Sequence, residues 1–261
     1  MDRIGSGLNR SGSVVRIIMK AVLFDLGETL YSYEGLPLSW KDHYQAAWKR
    51  ALQMAGLDCA DYDLSLAAAH MEKFNTRIVI RDEEFSSDHI FDGALLQLKI
   101  DQIHREKIVD AYFGYFRQAL RPYPESRKVL EILRRNGIRT GALTDVAYGM
   151  PAHFVEDDLR LCGILDLLDV WFTSVHVGYR KPHPRGFLTL CEALEIAPSE
   201  AIYVGNEEKD VVGAKNAGLT AALVNRTPGA KPEWRQDHTI TSLLDCLEIL
   251  ELGGQADGYR R

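Results

Sequence analysis

The hydrophobic pattern divides the chain into two kinds of territory. A short apolar run at 21–24 ends in Asp25 and predicts a first strand over 20–25, with 31–37 as a loop behind it. From Ser39 the pattern turns helical and stays so to about Leu120. Ser39 or Asp42 can cap a first helix that passes Ala47, Leu52 and Met54 and stops at Gly56. A second helix is predicted over 63–81. A third begins near 86–88 with Ile90, Phe91, Leu95 and Leu98, and a fourth follows Asp101 with Ile103, Ile108, Tyr112, Tyr115 and Phe116. No strand is predicted in this stretch.

Pro122 and Pro124 break the helical run, and strands and helices then alternate. Helices are predicted over 125–136, 151–161, 184–194, 211–217 and 241–250, and strands over 138–144, 169–173, 201–204 and 220–224. Short apolar strands separated by helices indicate a doubly wound parallel sheet covered on both faces. The expectation is an α/β core, 19–32 with 121–252, carrying a helical insert over 33–120. Residues 1–18 read as a flexible leader without the apolar centre of a signal peptide, with Met19 as an alternative start, and 253–261 as a flexible tail.

Composition narrows the function classes. The chain has 261 residues, 46% hydrophobic and 26% charged, with a net charge of -6. No basic block stands out, which argues against nucleic acid as the main partner, and no apolar stretch is long enough to span a membrane. Oligomeric state is not legible. Four scattered cysteines, Cys59, Cys162, Cys191 and Cys246, form no C-x-x-C pair and read as reduced thiols of a cytoplasmic protein.

In a doubly wound sheet, ligands bind beyond the carboxyl ends of the strands. That rim collects Asp25 after the first strand, Thr144-Asp145 after the second, and Arg180-Lys181-Pro182 in a loop beyond the third. Beyond the fourth it collects 205–210, GNEEKD. Facing carboxylates suit a hard cation such as magnesium. A lysine and a threonine suit an anionic group between them. An aspartate beside such an electrophile can attack it.

FDLGETL, LTD, GYRKPHP and YVGNEEKD, in that order, resemble the four motifs of the haloacid dehalogenase-like (HAD) hydrolases. The insert resembles that superfamily's helical cap, between motifs one and two. The resemblance covers residues 20 to about 250. It implies a Rossmann-like core and Asp25 as nucleophile. It implies Thr144 as the hydroxyl on the phosphoryl oxygen and Lys181 as the neutralising cation. It implies Mg²⁺ held by Asp25, the Gly27 carbonyl, Asn206 and Asp210. The substrate implied is a small phosphorylated metabolite, hydrolysed through an aspartyl-phosphate.

Two departures from the family pattern bear on activity. Gly27 stands where phosphatases of this family carry a second Asp as general acid and base, and Asn206 replaces the first acid of motif four. A degenerate protein that binds a phospho-ligand or a partner is therefore a second reading. A 2-haloacid dehalogenase is a third; 47–50, AWKR, faintly resembles that group's arginine-bearing cap helix. Glu28, Asp145 or a cap histidine are the candidates to replace the absent acid. Asp145 reads equally as a turn former, and 207–209 as a solvated run. His43, Arg77, Arg81 and His89 read as surface residues, and Trp40, Trp48, Tyr112 and Phe116 as core of the insert.

Overall fold

The computed structural model describes residues 6–8, 14–16, 19–35, 37, 39–117, 119–227 and 233–252. The C-terminal tail lies outside them, as does most of the leader. Within the leader, Ser6–Leu8 and Val14–Arg16 pair as a short antiparallel ladder.

The main sheet is six-stranded and wholly parallel. Its strands are β1 (Ala21–Phe24), β4 (Arg139–Thr144), β5 (Val170–Thr173), β6 (Ala201–Gly205), β7 (Thr220–Val224) and β8 (His238–Ile240), in the spatial order β8-β7-β6-β1-β4-β5. β1 is buried on both faces, and its side chains alternate between two cores. Val22 and Phe24 join the cluster built with α5 (Ser126–Arg135), α6 (Ala152–Leu161) and α10 (Asp245–Ile249). Ala21 and Leu23 face the other way, toward α8 (Arg185–Ala193) and α9 (Glu208–Asn216). A four-residue helix, α7 (Ser174–Val177), follows β5 directly. This is the doubly wound α/β arrangement the alternation predicts.

Between β1 and β4 the chain adds α1 (Tyr44–Met54), α2 (Leu64–Glu72), α3 (Ser87–Leu98) and α4 (Arg105–Tyr115). They bury a separate cluster around Trp48, Phe91, Tyr112 and Phe113. Tyr148 and Phe154, from beyond β4, pack into that same cluster. Asp63 and Ser86 cap α2 and α3 by accepting from backbone N–H groups, which fixes where these helices start. No helix among the described residues is long and apolar enough to cross a membrane.

The structure corrects several element boundaries. Residues 31–37, expected as a loop, contain β2 (Tyr31–Glu34), and the expected end of the last insert helix contains β3 (Ala119–Pro122). The two pair antiparallel and tie the entry and exit of the insert together. An Arg121–Glu34 ion pair reinforces the ladder. Their partners lie some ninety residues apart, so local periodicity carries no trace of the pairing. The helix expected over 63–81 ends at Glu72. Beyond it Asn75 turns the chain, its side-chain oxygen accepting from Arg77 N at 3.0 Å. α9 begins at Glu208 rather than 211, and the last helix is shorter than expected. β8 was not expected; three residues are too few to show alternation.

One contact between insert and core is unusually tight. Gly149 has φ +64°, and a Cβ there would lie 2.2 Å from the Phe85 carbonyl oxygen and 2.5 Å from Ser86 C. Both backbone conformation and space exclude a side chain. Gly149→Ala is therefore expected to lower unfolding free energy by about 2–3 kcal/mol or more, read as a shift in the urea midpoint at constant slope.

Candidate active site

β1, β4 and β6 are adjacent, and their carboxyl ends open into a cavity of about 640 Å³ between the sheet and the helical insert. Asp25 follows β1 directly and is 7% exposed, its N–H donating to the Val204 carbonyl at 2.9 Å. Lys181 arrives from the loop after α7. Its Nζ donates to Asp25 Oδ1 at 2.6 Å and to Asp210 Oδ1 at 2.6 Å. It also reaches the Leu143 carbonyl at 3.3 Å and the Tyr203 hydroxyl at 3.4 Å. The lysine side chain is 1% exposed and that of Asp210 0%.

Asp210 is held from its other side too. Its Oδ2 accepts from Asn206 N at 3.1 Å and Glu207 N at 3.0 Å, satisfying orphan donors at the start of α9. The helix-start role and the site role thus fall on one residue. Gly205 permits this approach, since a Cβ there would lie 2.4 Å from Asp210 Cβ. Thr29, fully buried and assigned no role from the sequence, places its hydroxyl 3.5 Å from Asp25 Oδ2 and 3.3 Å from Asn206 Oδ1. The threonine after Gly27 in Asp-x-Gly-x-Thr was its only signal. Thr144, at the end of β4, lines the cavity with Asp25, Gly27, Lys181 and Asn206.

Burial pushes the Asp25 carboxyl up from its ordinary value; the Lys181 ammonium pulls it down, and Asp210 pushes it up again. Burial alone would lower Lys181, but Asp210 and Asp25 hold its ammonium well above the usual lysine value. The buried centre is two carboxylates on one ammonium.

Candidates to replace an acid at position 27 are poorly suited. Asp145 is not a turn former: its Oδ1 accepts from Lys181 N at 3.1 Å, and its Oδ2 lies 3.4 Å from Lys209 Nζ. Burial pushes its carboxyl up, but Arg180, Lys181 and Lys209 outweigh that and keep it below the ordinary value, hence ionised. The Glu28 carboxylate accepts from the Tyr123 hydroxyl at 3.1 Å. His43 and His89 do not line the cavity; His89 stacks on Phe85. Beside Gly27 a Cβ would meet only Tyr33 Cε2, at 3.8 Å. The Tyr33 hydroxyl donates to Asp158 Oδ2 at 2.7 Å, and Arg117 donates to Asp158 Oδ1 at 3.0 Å. All three line the cavity.

The insert contributes more to this wall than expected. Arg77 and Arg81 line the cavity, Arg77 while still exposed and Arg81 half-buried. Trp40 and Phe116, expected as core, stack at 3.8 Å and 4° and also face the cavity. Trp48 and Tyr112 are core. Of the run at 207–209, Glu207 and Lys209 line the cavity and pair at 2.7 Å.

The donor set suits a hard divalent cation. Asp25 Oδ2 and Asn206 Oδ1 converge on one threonine hydroxyl, and Gly27 lies two residues from Asp25. All are oxygen donors, of the kind Mg²⁺ takes in small number beside water. Among the described residues no three His, Cys, Asp or Glu side chains gather to hold a metal. A metal bound here would rely instead on Asp25, an amide and a backbone carbonyl, because Asp210 is committed to Lys181 and to the Asn206 and Glu207 amides.

Several known proteins resemble this chain over most of its length. The model of the family "haloacid dehalogenase-like hydrolase" matches residues 19–218. A glyceraldehyde 3-phosphate phosphatase of Methanopyrus kandleri is 31% identical over 85% of this chain and 91% of its own. One from Pyrococcus furiosus is 35% identical over 67% of this chain and 75% of its own. Among solved structures, a HAD phosphatase from Thermococcus onnurineus superposes with a TM-score of 0.57 at 27% identity, covering 89% of this chain and 98% of its own.

Replacing Lys181 tests the buried centre. Lys181→Met leaves two buried carboxylates without their cation and is expected to cost about 3–5 kcal/mol at neutral pH. Burial already raises the folded-state Asp25 carboxyl to about 7 against the opposing Lys181 ammonium; without that ammonium it rises further. Protons then stay on the folded variant to higher pH, so the deficit is level below about pH 6 and grows as pH rises from about 7 to 9. Urea titrations of both proteins across that range read the difference; a constant gap would contradict it.

Proposed function

Because this chain belongs to the haloacid dehalogenase-like hydrolases, we propose that it hydrolyses a small phosphomonoester through an aspartyl-phosphate on Asp25. The observation that carries this reading is the Lys181 ammonium, 2.6 Å from the carboxylates of both Asp25 and Asp210 at the mouth of three parallel strands. Similarity to proteins named as phosphatases supports it.

In this reading the Asp25 carboxylate attacks phosphorus, the ester P–O bond breaks and the alkoxide departs. Burial raises the Asp25 carboxyl to about 7 even against Lys181, so the nucleophilic carboxylate gains population as pH rises through neutrality, and Lys181 offsets the charge that gathers on the phosphoryl group. The Thr144 hydroxyl donates to a phosphoryl oxygen. Water then attacks the acyl-phosphate and releases inorganic phosphate, returning Asp25 to its paired state. Mg²⁺, held by Asp25, the Gly27 carbonyl and Asn206 with Asp210 behind, supplies further charge stabilisation when bound. The insert closes the cavity over the substrate, and Trp40, Arg77, Arg81 and Phe116 select the leaving group from the far wall.

Asp25→Asn is expected to abolish phosphate release from a panel of sugar phosphates and p-nitrophenyl phosphate assayed with Mg²⁺. Turnover at the wild-type rate would sink the mechanism.

Gly27 favours a second reading, a degenerate binder of a phosphorylated ligand. The position has room for a side chain, with Tyr33 at 3.8 Å and a φ outside the left-handed region. Gly27→Asp should raise kcat by about a hundredfold or more if a missing acid is the whole defect. No rise would count against a missing acid as the sole defect. The dehalogenase reading gains nothing from the insert, where Lys49 and Arg50 are exposed on α1 and absent from the cavity lining.

A further inference from the structure

The insert is joined to the core at its two ends and also at its middle. After α2 the chain runs back over the cavity and lays residues 82–84 along 178–180. Arg180 N donates to the Asp82 carbonyl at 2.7 Å, and Glu84 N to the Gly178 carbonyl at 3.0 Å. Glu83 and Tyr179 form an antiparallel bridge between them. The next residue after that patch on the core side is Lys181.

Glu84 is the centre of this junction. Its side chain is 0% exposed, a fully buried carboxylate. It pairs with Arg180 of the core and, at 3.2 Å, with Arg81 of its own segment. The Ser174 hydroxyl donates to its Oε2 at 2.7 Å. Phe85 N donates to its Oε1 at 3.1 Å. The partners continue inward. Ser174 Oγ accepts from Val146 N at 3.1 Å, and Arg180 donates to the Val146 carbonyl at 2.8 Å. Val146 adjoins Asp145, whose carboxylate accepts from Lys181 N. One carboxylate from the insert thus fixes the loops after β4 and β5 and the loop that carries Lys181.

We infer that Glu84 is a positioning residue for Lys181, so that docking of the insert and alignment of the reacting centre are one event. The inference rests on the reading of Asp25 and Lys181 as that centre. A buried charge left without its partner is strongly unfavourable. Lifting 82–84 away would leave the Arg180 guanidinium with only the more distant Asp145 Oδ2, 3.9 Å away, and the loops without their common anchor. The lysine beside Arg180 must hold its Nζ between two carboxylates, and misplacement there by even an ångström is costly to rate. Closure therefore encloses the substrate and completes the charge arrangement together.

The test separates positioning from mere stability. Glu84→Gln keeps the shape and removes the charge. Expected is a fall in kcat, per folded molecule, of about a hundredfold, with KM little changed. Expected also is faster amide exchange over 178–182 and 145–146, with α1 and α4 unchanged. Arg180→Gln should do the same, and the double variant should be no worse than the poorer single one, because the two act as a unit. If Glu84→Gln does not fold, Ser174→Ala, which removes a single hydroxyl, should show the same changes more weakly. A lowered unfolding midpoint with kcat and loop exchange at wild-type values would overturn the inference, as would effects of the two substitutions that multiply. Wild-type protein without turnover on any phosphomonoester would instead defeat the phosphatase reading, and the exchange experiment would still decide whether Glu84 holds the Lys181 loop.

Discussion

Everything at the carboxyl edge of the sheet is arranged around one ammonium group shared by two buried carboxylates. Parallel pairing of β1 with β6 sets Phe24 beside Val204, which brings Asp25 level with the turn into α9. That turn can come close only because Gly205 has no Cβ to strike Asp210. Lys181 must then cross from the far side of β4, past the Leu143 carbonyl, to reach both acids. Three separate segments meet at one nitrogen, and each is held by backbone or side-chain hydrogen bonds outside the ion pairs. Such an arrangement is a poor way to gain stability, because desolvating three charges consumes most of their attraction. It makes sense as a site whose electrostatic field is fixed before any ligand arrives.

How far the sequence revealed this depended on the range of each signal. The strands of the core carry continuous apolar runs, and the helices carry turn residues at their ends, so the alternation and the parallel sheet were legible. That Asp25, Thr144, Lys181, Asn206 and Asp210 gather at one rim was legible because each lies at or beyond the carboxyl end of a strand; their roles rested on the family resemblance. Pairings across long stretches were not. The β2–β3 ladder and the strand-like run of 82–84 beside 178–180 join segments about ninety residues apart, with no local pattern to announce them. The true wall of the cavity was hidden for the same reason. Arg77 and Arg81 look like surface residues until α2 is seen to stop at Glu72 and the chain to turn back over the sheet. Thr29 was visible but silent, because a buried threonine declares its role only when both acceptors, Asp25 and Asn206, are placed.

Gly27 draws these threads together. With no side chain at that position, a proton for the leaving group must come from elsewhere, and the neighbours are already committed. Asp145 is held ionised by three cations. Burial, with the Asp158 charge beside it, pushes the Tyr33 hydroxyl far above its usual value, and that hydroxyl is spent on Asp158. Burial raises the Asp158 carboxyl above its ordinary value despite Tyr33 and Arg117, which between them engage both its oxygens. The polar groups near Gly27 are thus hydrogen-bonded to one another rather than presented to a leaving group. General acid catalysis is worth about a hundredfold to ten-thousandfold, whereas charge stabilisation in a dry site is commonly the larger contribution. A centre built this way retains the larger contribution and gives up the smaller. On the proposed phosphatase reading it should therefore discriminate among phosphomonoesters by the stability of the departing alkoxide, favouring those that leave without help.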